Sequence, residues 1–120
     1  MVKKVAYLGL GNMGGAMASN LAKAGFEVRG YDPSPETRAH AEKAGIEIFT
    51  SAAEAASGVE VICSSVPETA HVEAAYLGET GALSSAPEGA VCFDFSTITV
   101  EGSQRVAEEA KKRGIRFLDT

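Results

Sequence analysis

Three times in this chain a helix-like stretch ends on a basic residue and a glycine, and an apolar run follows at once. The three junctions are Lys23-Ala24-Gly25-Phe26-Glu27-Val28, Lys43-Ala44-Gly45-Ile46-Glu47-Ile48 and Lys112-Arg113-Gly114-Ile115-Arg116-Phe117. Glycine just past the last turn adopts the left-handed conformation that stops a helix, and the basic residue complements the helix's carbonyl end. A return to extended chain within one or two residues belongs to right-handed crossovers between parallel strands. The junctions therefore confine the chain to alternating strands and helices.

The remaining runs agree. Val5–Leu8, Val28–Tyr31, Ile46–Ile48, Val59–Cys63, Ala90–Phe93 and Phe117–Leu118 read as strands, several of them apolar almost throughout, as parallel strands covered on both faces must be. Helices are expected at about 12–24, 35–44, 52–57, 68–77 and 100–113. Ser34 before Pro35, Ser51 three residues ahead of Glu54, and Thr99 are the expected helix caps. Residues 78–89, rich in glycine, serine and proline, read as a surface loop. Six strands alternating with helices predict a doubly wound parallel sheet in the order 3-2-1-4-5-6. All 120 residues form one domain: 45% are apolar and 22% charged, enough for one ordinary core and too few for two.

A net charge of −5 argues against nucleic acid, whose phosphates need a basic face. No stretch reaches the ~20 apolar residues of a membrane span. Met1-Val2-Lys3-Lys4 leads straight into a strand without a signal-like apolar segment, so the cytoplasm is the expected location. Cys63 and Cys92 sit inside strand-like runs and read as buried small hydrophobes; His40 and His71 fall on different helices, and no Cys/His spacing suits a metal.

The first strand runs into Gly9-Leu10-Gly11-Asn12-Met13-Gly14, a Gly-x-Gly-x-x-Gly between strand and helix. The motif is weak by itself; a strand before it and an amphipathic helix after it give it meaning. Gly9 allows the tight turn, Gly11 lets backbone approach a diphosphate, and Gly14 permits close helix–strand packing, while amides at the helix start face the phosphates. Asp32 ends the second strand, 21 residues after Gly11, where a carboxylate accepts the ribose hydroxyls of adenosine and repels the extra phosphate of NADP. The fold expected is thus a Rossmann domain and the cofactor NAD, with NADP less favoured; Arg29 and Arg38 are the nearest arginines. A ligand-free glycine turn, with Asp32 as a turn former before proline, is the alternative.

The stretch Tyr7 to Leu21 goes further. Its Gly-Leu-Gly-x-Met-Gly followed by Met17-Ala18-Ser19-Asn20-Leu21 resembles the signature of the 3-hydroxyisobutyrate dehydrogenase, or β-hydroxyacid dehydrogenase, family, of which 6-phosphogluconate dehydrogenase is a larger cousin. Ser64-Ser65-Val66-Pro67 and Asp94-Phe95-Ser96-Thr97-Ile98-Thr99 are similar to two further segments of that family. The resemblance implies that Val66 and Pro67 lie against the cofactor ribose, that His71 has a cofactor-side polar role, that Thr97 sits by the nicotinamide, and that Ser96 helps hold the substrate. Helix capping by Ser96-Thr97, and a plain exposed helix position for His71, are the alternatives. Val100 stands where the family usually has proline.

The resemblance covers the whole chain and implies that the family's lysine acid/base and helical second domain lie outside these residues. The chain alone is then expected to bind a nicotinamide dinucleotide without turning over the small carboxylate substrate, and to self-associate through the surface a second domain covers. A stand-alone nucleotide-binding or redox-sensing module is a second reading. A third is the cofactor domain of a relative with other chemistry, 6-phosphogluconate dehydrogenase or an imine reductase.

Overall fold

The junction glycines carry φ of 102° at Gly25, 95° at Gly45 and 71° at Gly114, the left-handed backbone that ends a helix and that side chains disfavour. At each, the chain turns straight into a strand. The computed structural model describes residues 4–96 and 98–119. In chain order the elements are β1 (Lys4–Leu8), α1 (Asn12–Lys23), β2 (Glu27–Tyr31), α2 (Pro35–Lys43), β3 (Glu47–Ile48) and α3 (Ala52–Ala56), then β4 (Val61–Ser64), α4 (Thr69–Tyr76), a 3-10 turn (Ala82–Ser84), β5 (Val91–Asp94), α5 (Val100–Lys112) and β6 (Arg116–Asp119). The six strands form one parallel sheet in the order β3-β2-β1-β4-β5-β6, the expected doubly wound arrangement.

Alternation along β1 divides the core. Ala6 and Leu8 point into the cluster with α3, α4 and α5, around Ile62, Tyr76, Cys92 and Val106. Val5 and Tyr7 point the other way, toward Leu10, Ala18, Val28 and Ala41 beneath α1 and α2. The two cysteines are buried, free and on opposite faces of the sheet. None of the described helices is long and apolar enough to cross a membrane.

Two details differ from expectation. The strand expected from Val59 begins at Val61; Val59 is buried but precedes the ladder. Residues 78–89 are not simply surface loop, because the 3-10 turn buries Ala82 and Leu83 against α3 and α4.

Candidate functional site

A cleft of about 670 Å³ opens over the carboxyl ends of β1, β2 and β4. This is where the strand order reverses, since β2 and β4 flank β1, and ligands of open α/β sheets bind at that reversal. Its walls include Gly9, Gly11, Asn12, Met13 and Gly14 from the glycine loop, Asp32 after β2, and Ser65, Val66, Pro67 and His71 after β4.

Each glycine has its own reason. Gly9 has φ 92°, and a Cβ there would overlap the Ser65 carbonyl and lie 2.8 Å from Val66 Cγ1. Its smallness lets the β1 and β4 loops touch. A Cβ on Gly14 would overlap the Gly9 carbonyl oxygen, so α1 packs onto the loop only without a side chain there. Gly11 is different: a Cβ would meet nothing within 4 Å, and the residue lines the cleft. Here glycine keeps room for something else. Gly15, which sequence reasoning passed over, sits 2.9 Å (at its notional Cβ) from the Leu10 carbonyl.

The start of α1 has no side-chain cap, a feature it shares with α4, whose N-cap Glu68 accepts no amide through its side chain. Ser34, Ser51 and Thr99 each accept an amide at the start of α2, α3 and α5, as expected of caps. Gly11 occupies that position in α1, with no side-chain cap. The first helical bond is Gly15 N–H to the Gly11 carbonyl at 2.7 Å, so the amides of residues 12–14 precede the helix's own pairing. Together with the helix dipole they present positive potential to the cleft. The described residues lining it include no lysine or arginine, so a bound diphosphate would rest on backbone.

Asp32 is held from both sides. Its Oδ2 accepts the Leu10 amide at 2.8 Å and its Oδ1 the Ser34 amide at 2.8 Å. A carboxylate has about four acceptor positions, which leaves room for a pair of hydroxyls. Leu10 takes part through that amide alone: its side chain is buried under β2, where a Cβ on Gly30 would come within 3.0 Å of it. Arg29 is committed elsewhere, donating to the Ala55 and Glu54 carbonyls and lying 4.1 Å over the Phe49 ring. Arg38 donates to the Asp32 carbonyl at 2.7 Å.

Ser96 lies just under the cleft rather than on its wall. It is buried, donates to Asp94 and accepts from the Val66 amide at 2.8 Å. The cap of α5 is Thr99, so helix capping is not what Ser96 does. Thr97 lies outside the described residues. His71 is exposed on the first turns of α4 and borders the cleft beside Pro67. Tyr31, Thr37 and Thr80 also line the cleft and were not anticipated. Tyr31 could have been found as the residue preceding Asp32, whereas nothing in the sequence marks Thr80. Ser65, directly after β4, lines the cleft as well. Its hydroxyl is 2.7 Å from that of Tyr7, which in turn donates to Met17 Sδ at 3.2 Å. Burial raises the Asp94 carboxyl above the usual carboxylate range, and the hydroxyls of Ser64 and Ser96 pull it part of the way back.

Residues 4–120 match the family described as the NAD-binding domain of 6-phosphogluconate dehydrogenase. The chain is 41% identical over 115 residues to 3-hydroxyisobutyrate dehydrogenase of Pseudomonas aeruginosa, covering 96% of this chain and 39% of that protein. It is 34% identical over 118 residues to an NAD-dependent L-serine dehydrogenase of the same organism, covering 98% and 40%. The solved structure of Mycobacterium tuberculosis 3-hydroxyisobutyrate dehydrogenase with L-serine superposes with a TM-score of 0.89 at 36% identity, covering 99% of this chain and 40% of that one. The chain thus spans about 40% of the length of these relatives.

Proposed function

Because this chain belongs to the family of the 6-phosphogluconate dehydrogenase NAD-binding domain, we propose that its cleft holds NAD(H) and that a longer protein containing it oxidises a short β-hydroxyacid. The observation that carries the reading is the start of α1: without a side-chain cap, beside open space at Gly11, and flanked by the Asp32 carboxylate. Amides of residues 12–14 hold the diphosphate. Asp32 accepts the ribose hydroxyls of adenosine while keeping the Leu10 amide.

NAD is favoured over NADP because that carboxylate repels a ribose phosphate and both neighbouring arginines are engaged with carbonyls. Val66, Pro67 and His71 form the nicotinamide side, to which the family resemblance assigns Thr97, and Ser96 with the Asp94 segment forms the floor toward the substrate. The cofactor supplies the hydride chemistry; the protein orients it.

A short β-hydroxyacid as substrate is supported by two relatives, dehydrogenases of 3-hydroxyisobutyrate and of L-serine, both short carboxylic acids with a hydroxyl on the β-carbon. The group that takes the hydroxyl proton is expected outside these 120 residues, so the chain by itself binds cofactor weakly and turns over no hydroxyacid. Calorimetric titration with NADH and NADPH tests the reading. Heat of binding with NADH, and weaker binding with NADPH, is expected; no binding of either overturns it.

A further inference from the structure

Tyr76 of α4, Ser64 of β4, Asp94 of β5 and Ser96 beyond it form one hydrogen-bonded line beneath the cleft. Ser64 and Asp94 are register partners on adjacent strands, and both are fully buried. The Ser64 hydroxyl donates to Asp94 Oδ1 at 2.7 Å, and the Ser96 hydroxyl donates to the same oxygen at 2.8 Å. A hydroxyl has one proton. With that proton on Asp94, Ser64 can only accept from the Tyr76 hydroxyl, 2.7 Å away. Ser96 likewise can only accept, and its donor is the Val66 amide at 2.8 Å. The carboxylate therefore sets the direction of the hydroxyl bonds in the line, and leaves the Ser96 oxygen free to accept the Val66 amide, which can only donate.

The line ends at the cleft wall. Val66 and Pro67 border the cleft, and Val66 Cγ1 crowds Gly9. In the sheet, β2 with Asp32 and β4 with Val66 lie on opposite sides of β1. A dinucleotide held at Asp32 by its adenosine ribose, and at residues 11–14 by its diphosphate, must lay its nicotinamide half toward the β4 loop. We propose that Asp94, buried and out of reach of any ligand, is a positioning residue for that half: through Ser96 it fixes the Val66 amide and so the loop against which the nicotinamide ribose rests. The inference depends on the cleft being a dinucleotide site. It extends that reading to a residue one layer below the wall and gives the Ser96 hydroxyl a second task.

ADP and NADH separate the two halves of the cleft, because ADP needs only Asp32 and the glycine loop. Asp94→Asn keeps the shape and replaces the carboxylate acceptor of both hydroxyls with a weaker amide oxygen; Ser96→Ala removes the acceptor of the Val66 amide. In calorimetric titrations both variants should bind NADH about tenfold more weakly than the unaltered chain, the order of one charge-assisted hydrogen bond, while ADP affinity stays within about twofold. Equal loss for NADH and ADP would mean a merely structural role and would overturn the proposal, as would unchanged NADH binding. Overturning it as well would be an unaltered chain that binds NADH no better than ADP. If the unaltered chain binds neither ligand, the dinucleotide reading itself fails. Should Asp94→Asn not fold, Ser96→Ala decides the matter, since it removes one hydroxyl at the edge of the core.

Discussion

Gly11 and Gly14 stand three residues apart and answer to different forces, which makes them a matched pair. A methyl on Gly14 meets the Gly9 carbonyl oxygen, and backbone cannot step aside cheaply. Gly14→Ala should therefore lower stability by about 1–3 kcal/mol, the range for overpacking, visible in a thermal melt. A methyl on Gly11 meets no protein atom. Gly11→Ala should leave the melt within about 0.5 kcal/mol of the parent and still abolish measurable NADH binding. If Gly11→Ala binds NADH normally, no phosphate lies there. Asp32 makes a second test, since it holds both the Leu10 amide and, in the proposed complex, a ribose. Asp32→Ala should cost NADH about tenfold or more relative to NADPH in paired titrations; equal loss for both would leave it only its loop-holding role. These residues were legible because glycine and a strand-end acid have specific physical uses. The pairing of Asp94 with Ser64 was not: each falls in a recognisable segment, but their contact is a register between strands 30 residues apart, which no local pattern contains.

Among the elements, helix boundaries were legible because their chemistry is local. Thr99 accepts the Gly102 amide at 3.1 Å, and Ser51 accepts that of Glu54 at 3.1 Å. The capping box at α3 closes one residue early, however, since the Glu54 carboxylate reaches back to Thr50 rather than to Ser51. Thr99→Ala should destabilise the chain by about 1 kcal/mol, read from denaturant melts. A loss well under that value would mean that the contact of the Thr99 amide with Thr69 Oγ1, at 3.0 Å, anchors α5 without the cap. The 3-10 turn that buries Ala82 and Leu83 escaped notice because three residues carry no periodicity, and its flanking glycines and serines look like loop. Strand β3 has only two residues. It was readable through the glycine junction before it rather than through its own composition.

Over the whole molecule, the two thiols report on the two faces of the sheet. Cys63 belongs to the cluster under α1 and α2, and Cys92 to the one under α4 and α5. Burial pushes Cys63 up to about 11 and Cys92 up to about 12, from an ordinary value near 9. Each raised pKa means the folded state keeps a proton that the unfolded chain gives up. The stability linked to these thiols is therefore fully present below about pH 9 and is lost as pH rises toward 11 and 12. Over that window each should remove about 1.4 kcal/mol per pH unit. At neutral pH both thiols are protonated and covered, so a thiol reagent reaches them only when the sheet opens. If the sheet is one cooperative unit, Cys63 and Cys92 should label with the same opening free energy, equal to that from denaturant melts. Labelling of Cys63 well ahead of Cys92 would show that the layer of α1 and α2, the glycine loop's own support, opens separately from the rest.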